Sequence, residues 1–400
     1  MIKVSSFHSD LHRQDVLAQR HASFLAGIEG YLGEQIEVAP IEDYDADLKL
    51  VFISSGGSEG IFLKHFSQLK PPYYLLTSGT DNSLAASIEI MTFLNIEGYE
   101  GEILHGNPEY IAERIRKILA GEKQADDKKP SNSRFSGHVE LGGRYGVVGE
   151  PSDWLIASVP DSDQVKKVFG TELVRIKMEE LLELYENEDY SEDIRDGLDF
   201  GSSNRLVRAV QKLHEKYSLD GLTIRCFDLL DSIHTTGCLS LAQLNADGFI
   251  GTCEGDVMSL LSMAVVRKIT GQSSFQANPS RIDVTENTMI LAHCTMPYDM
   301  AERCGYDTHF ESGIGVAVKG ELKKTHVTIL RIAEDLRTYW CAEGEITDNL
   351  NERALCRTQI EVKLDDNYSV GDLLLSPCGN HHIVFYGCHR DEIERFLKGN

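Results

Sequence analysis

Residues Phe249 to Asp256 read FIGTCEGD, and VMSLLSMAVVRKIT follows at once. An apolar strand runs into Glu254-Gly255-Asp256 and then into a helix, the strand–turn–helix order of a parallel α/β sheet. Ligands of open α/β sheets collect beyond the carboxyl ends of the strands. Glu254 and Asp256 therefore stand where a metal ion or acid–base chemistry is expected, with Gly255 letting the backbone turn tightly between them. Asp256 reads equally well as the cap of the following helix, and Glu254 as the partner of a basic residue.

The same order recurs toward the N-terminus. Leu48–Ser54 (LKLVFIS) and Tyr73–Thr77 (YYLLT) are apolar runs that end in Ser55-Gly56-Gly57-Ser58 and Ser78-Gly79-Thr80-Asp81-Asn82. The second leads into LAASIEIMTFL, and Glu102-Ile103-Leu104 precedes a helix from Pro108 to Leu119. Neither glycine loop has the G-x-G-x-x-G or P-loop pattern, so both read as β–α turns. Gly121–Gly137 is polar and reads as a linker or exposed loop. A second α/β unit begins at Arg144 (RYGVVG), with strands at Leu173–Lys177 and Leu222–Phe227 and helices at Met178–Tyr185, Asn204–Tyr217 and Leu239–Asn245. Beyond Gly271 the pattern changes to short β-type runs (MILAHC, GVAVKG, HVTILRI, QIEVKL, HHIVFYG) without a long helix until Asp391–Leu397. The expected fold class is α/β: two flavodoxin-like parallel-sheet units, residues 1–137 and 138–274, followed by a mainly antiparallel β domain, residues 275–400.

Acidic residues outnumber basic ones 63 to 39 in the 400-residue chain, a formal charge of −24. Such a surface repels phosphate backbones and argues against a nucleic-acid partner. Met1–His8 lacks an apolar signal-peptide core and no run reaches membrane-spanning length, so a cytoplasmic protein without a membrane partner is expected. All nine cysteines lie from Cys226 onward, odd in number and without a C-x-x-C pair, which speaks against a disulfide framework and a cysteine zinc site.

Histidines supply the second chemical signal. His293 ends MILAHC, and His381-His382 open IVFYG. Imidazoles at strand ends near carboxylates form an N/O set suited to a first-row divalent ion such as Mn²⁺, although each alone reads as a structural histidine.

CEGDVMSLLSMAVVRKITG, SSFQANPSRID, LAHC and GNHHIVFYG together resemble the C-terminal half of the L-fucose isomerase and L-arabinose isomerase families. The resemblance is strongest over Leu222–Pro279 and residues 378–387; in the N-terminal half it rests on architecture alone. It implies a metal-dependent aldose–ketose sugar isomerase with Glu254 as first ligand, Asn278 where those families place a second carboxylate, and His293 and His381 (or His382) completing the set. It also implies a sugar substrate, Mn²⁺ or a similar cation, an enediol route and a trimeric or hexameric homo-oligomer. An amide at Asn278 ligates a cation but carries no proton, so the second acid–base group is sought among Asp228, Asp256, Asp283 and Glu311. Glu254 and Asp256 are the catalytic candidates, and Asp228, Glu311 and His382 the candidates for substrate binding. A metal-dependent hydrolase or lyase, or a sugar-binding protein without catalysis, is compatible with the same residues.

Overall fold

The computed structural model describes residues 1–9, 14–122 and 132–399. Its first sheet is parallel, with strands β1 (Ile2–Phe7), β2 (Ile36–Val38), β3 (Leu48–Ile53), β4 (Tyr73–Thr77) and β5 (Gly101–Leu104) in the order β2-β1-β3-β4-β5. β3 is buried at every residue, as a strand covered on both faces must be. Helix Pro108–Leu119 starts where chemistry dictates: Asn107 accepts a hydrogen bond from the Tyr110 N–H, and proline occupies the first turn. β1, β2 and helix Gln14–Leu32 carry weak sequence signals and are additions made by the structure.

Next in the chain is β6 (Asn132–Arg134), within the segment expected to be a linker; it pairs with a strand some two hundred residues later, while residues 123–131 lie outside the described residues. The second sheet, again parallel, contains β7 (Arg144–Val148) and β8 (Glu172–Ile176). A small hairpin follows, β9 (Ile194–Arg195) with β10 (Leu198–Asp199), and then β11 (Gly221–Ile224) and β12 (Ile250–Cys253) complete the sheet in the order β12-β11-β7-β8.

The third sheet is antiparallel. It comprises β13 (Phe275–Asp283) and β14 (Thr288–His293), then, after a separate ribbon of β15 (Ala301–Asp307) and β16 (Ala317–Leu322), β17 (His326–Ile332), β18 (Thr338–Asn349), β19 (Thr358–Leu364) and β20 (His382–Tyr386). The order is β17-β20-β13-β14-β19-β18, and β17 also pairs with β18, so these six strands close into a barrel, with β6 added at β18. Closure removes the exposed edges an open sheet would present. The expected class, two parallel α/β sheets followed by a mainly antiparallel β region, is the one observed.

Helix Ser83–Ile96 packs against β5 on one side and β13 on the other and is buried at almost every residue. It carries no polar stripe because it lies between two layers. His105, directly after β5, ties the same layers together: its Nε2 accepts the backbone N–H of Ile282 at 3.0 Å, and Nδ1 lies 2.6 Å from Thr77 Oγ1. Accepting at Nε2 requires a neutral ring with the proton on Nδ1. Burial, with Arg281 adding to it, pushes the His105 pKa down to about 3 from 6.5. Between those values the unfolded chain binds a proton that the folded one does not, so stability falls as pH drops through 6.5 and levels off near 3. At pH 5 the loss from this group is about 2 kcal/mol. Urea unfolding at pH 7 and pH 5 should show a His105→Gln variant losing less stability on acidification than the wild type by roughly that amount; equal losses would remove His105 from the account.

Candidate metal and substrate site

β12 ends at Cys253, and Glu254 and Gly255 then both take positive φ, 68° and 72°. Gly255 is required here, since a Cβ would sit 2.7 Å from Pro151 Cα. Glu254 bears the ordinary cost of a left-handed non-glycine residue, about 1 kcal/mol. Asp256 closes the turn as cap of helix Val257–Thr270, accepting from the Ser259 N–H at 2.7 Å.

This turn aims the Glu254 carboxylate at two imidazoles. Oε1 is 3.5 Å from His381 Nε2 and 3.8 Å from His293 Nε2, while Oε2 accepts from the Trp154 indole N–H at 2.6 Å. The outer nitrogens are held in turn. His381 Nδ1 is 2.8 Å from Asp256 Oδ2, and His293 Nδ1 is 3.0 Å from Thr295 Oγ1. His381 Nε2 and the Asn278 side-chain oxygen are buried without a hydrogen-bond partner. Buried orphan polar atoms of this kind are normally satisfied by something. A carboxylate and two imidazoles whose ligating atoms lie within 4.8 Å of one another, with outer hydrogen bonds fixing ring orientation, form a donor set that fits a divalent cation.

The charges agree with that geometry. Burial raises the Glu254 pKa, but His381 and His293 outweigh it and hold the carboxyl well below the usual range. Asp256, raised by burial, is likewise held low by Arg331 and His381. Burial alone would lower His381; Glu254 and Asp256 instead lift it to about 9.

Glu254, with the two imidazoles behind it, lines a small polar cavity. Gly56, Asn82 and Ala86 of the first sheet's loops and helices contribute one wall, Trp154 and Phe227 a second, and Asn278, Glu311 and Asn380 a third. Trp154 and Phe227 meet edge to face, ring centroids 4.8 Å apart, and give this side an apolar surface. Glu311 is fixed by Asn82 Nδ2, which donates at 2.8 Å, and by His309 Nε2 at 3.2 Å.

The structure thus brings together Glu254, Asn278, His293, His381 and Glu311. Four other expected residues do not line this cavity. Asp256 is fully buried against Arg331, Ser259 and His381 and does not line the cavity, so it positions His381 instead of meeting a ligand. His382, the first residue of β20, directly after His381, does not line the cavity; it donates to the Asn380 carbonyl and stands edge-on to Trp340, and burial pushes its pKa down to about 3. Asp228 is not at a strand end, because β11 stops at Ile224. It opens the short helix Asp228–Ile233, pairs with Arg225 at 3.0 Å and lies in a separate depression beside Gly149 and Lys177. Asp283 accepts the N–H groups of Thr285 and Glu286 in a turn.

Glu59 is the main residue that sequence reasoning missed. It starts helix Glu59–His65 directly after the Ser55–Ser58 loop, lines the cavity and has a buried Oε2 without a partner. Burial pushes its pKa well above 4.5, Glu89 and Glu254 adding to the shift against backbone N–H bonds. A carboxylate immediately beyond a glycine-rich strand–helix loop was the available signal. Glu89 is a second: buried on helix Ser83–Ile96, it accepts from the Ala157 N–H, Ser158 Oγ and the Asn380 N–H, and so anchors the loop that presents His381.

No known family profile matches the chain. Curated proteins do resemble it. Sulfoquinovose isomerases of Priestia aryabhattai and Priestia megaterium are each 26% identical over 281 residues, 64% of this chain and 63% of theirs. The sulfoquinovose isomerase of Alkalicoccus urumqiensis is 21% identical over 280 residues, 64% of this chain and 60% of its own. The match spans less than two thirds of the length of these relatives. They carry a different isomerase name from the two families that the sequence motifs resemble. Among the described residues, no helix is long and apolar enough to cross a membrane.

Proposed function

We propose that this chain is an aldose–ketose sugar isomerase that uses a divalent cation and an enediol route, in the manner of the L-fucose and L-arabinose isomerases. The observation that carries the reading is the convergence of Glu254, His293 and His381 on one buried spot, open to a cavity with further carboxyl groups. Isomerase relatives support the same class of reaction. When held by Glu254, Asn278, His293 and His381, a cation such as Mn²⁺ supplies Lewis-acid polarisation of a carbonyl and its neighbouring hydroxyl.

The protein's own groups move the protons. Glu254, ionised, takes the proton from the carbon beside the carbonyl; the C–H electrons become the enediol double bond and the carbonyl oxygen gains a proton. Glu59, kept protonated by burial, is suited to give that proton, a role the amide of Asn278 cannot fill. Glu254 then returns its proton to the adjacent carbon while the hydroxyl on the carbon that lost the first proton gives its own to the Glu59 carboxylate, so the new carbonyl forms and both carboxyl groups regain their starting states. Glu311, tied by Asn82 and His309, receives sugar hydroxyls, and Trp154 and Phe227 face the apolar side of the ring. The enzyme so described is a cytoplasmic homo-oligomer, trimeric or hexameric.

The test is a panel of pentoses, hexoses, 6-deoxyhexoses and a 6-sulfonated hexose, incubated with Mn²⁺-loaded protein in deuterated water and read by NMR. Conversion of at least one sugar, with deuterium at C2 of the product aldose, is expected. Protium retained throughout would overturn the enediol route, and no conversion despite a filled site would overturn the isomerase reading.

A further inference from the structure

A second cluster of metal-binding side chains lies outside the site above. The sulfurs of Cys238 and Cys294 and a ring nitrogen of His309 all lie within 4.8 Å of one another, and Cys356 packs in the same buried cluster as the two cysteines. All four residues are buried, and none of the three cysteines is in a disulfide; the single disulfide among the described residues is Cys226–Cys253. Around them is an apolar shell of Ile290, Ala292, Ala317 and Leu355.

We propose that Cys238, Cys294, Cys356 and His309 form a structural Zn²⁺ site, separate from the Glu254 site. Three sulfurs and one imidazole nitrogen are a complete tetrahedral set for zinc. Zn–S bonds of about 2.3 Å place tetrahedral sulfurs about 3.8 Å apart, so Cys238, Cys294 and His309 close on the metal with a contraction of about 1 Å or less, and Cys356, outside that 4.8 Å group, moves farther to take the fourth corner. Thiolates select a soft or borderline metal, whereas the carboxylate, amide and imidazoles of the other site suit Mn²⁺. Cys238 is the first residue of helix Cys238–Ala246, where the partial positive charge of the helix N-terminus favours a thiolate. His309 holds Ser312 Oγ at Nδ1 and Glu311 at Nε2; ligation through one nitrogen leaves the other hydrogen-bonded, the usual arrangement for a metal-bound imidazole. As each Zn–S bond forms, the S–H bond breaks and the proton passes to solvent.

The ligands come from four separate segments: a helix start, the residue after β14, the loop after β15 and the loop before β19. No C-x-x-C spacing announces them, so the expectation of no cysteine zinc site was blind to this arrangement. The metal would fix the loop that carries Glu311 and, through Cys294, the residue next to His293.

This proposal does not depend on the isomerase reading, and the test separates them. Full-length protein, reduced and stripped with a chelator, is titrated with Co²⁺ as a spectroscopic stand-in for zinc. A thiolate-to-cobalt charge-transfer band and the d–d bands of tetrahedral Co²⁺ are expected. Cys238→Ser and Cys356→Ser should each weaken or abolish the charge-transfer band, with circular dichroism verifying the fold. Glu254→Gln, which damages only the other site, and Cys304→Ser, an exposed cysteine, should keep it. Absence of the band in the reduced wild type, or its persistence in both buried-cysteine variants, would overturn the proposal.

Discussion

Glu254→Gln should leave the far-ultraviolet circular dichroism unchanged while weakening Mn²⁺ binding by about 3 kcal/mol, roughly a hundredfold, and abolishing turnover. Glutamine keeps the shape and the hydrogen bond from Trp154 but removes the charge that both imidazoles face. Glu254 is also the largest influence lifting His381 against burial, so the variant should hold His381 with less positive character in the metal-free protein. Calorimetric titration with Mn²⁺ and NMR of the product measure the two effects separately. Full metal occupancy together with wild-type turnover would show that the site assignment is wrong.

Arg331→Met should cost about 3–5 kcal/mol of folding stability, the range for removing one partner of a buried ion pair. Arg331 is wholly buried on β17 and each of its three side-chain nitrogens is engaged: Nη1 with Asp256 Oδ2 (2.9 Å) and Ser259 Oγ (3.0 Å), Nη2 with Ser158 Oγ (2.6 Å) and Nε with the Cys378 carbonyl (3.2 Å). Methionine fills the volume but leaves the Asp256 carboxylate charged and short of a partner. The sign with pH follows. Arg331 and His381 hold the Asp256 pKa below its unfolded value, so this stabilisation is present above about pH 4 and fades as pH falls. The difference between wild type and variant should therefore be largest near neutrality and narrow on acidification. Arg331→Lys should restore little, because a single ammonium cannot span four acceptors. Urea unfolding of the three proteins at two pH values measures this; a difference under about 1 kcal/mol at neutral pH would contradict the role assigned to Arg331.

The sequence was most informative where period and punctuation coincide. Strand Tyr73–Thr77 and helices Pro108–Leu119 and Val257–Thr270 are bounded by glycine, proline or a capping side chain, and the structure puts their ends there. Glu254 was legible because a buried strand leads straight to it. Barrel closure was not: the pairing of β17 with both β18 and β20 depends on register between distant strands. Asp228 and His382 were misplaced for local reasons, one by a strand three residues shorter than read, the other by side-chain contacts at the start of β20 that turn it to the Asn380 carbonyl and Trp340. Glu59 and Glu89 were missed because a lone glutamate on a helix resembles a solvated residue until the layers that bury it are known. The Cys238–Cys294–His309 group was missed for the same reason, since no short spacing links its members.

The left-handed backbone at Glu254 has a further meaning for how this position tolerates change. At φ 68° glycine would be more comfortable than any L-residue, and among these asparagine is accommodated most readily. A chain shaped for folding alone would do better with glycine there. The glutamate is thus held against a slope of its own making: mutations that relax the turn remove the carboxylate, and β-branched replacements both remove it and worsen the turn. Glycine should for that reason give up the ligand in exchange for an easier backbone, whereas β-branched replacements should lose metal affinity and backbone ease together.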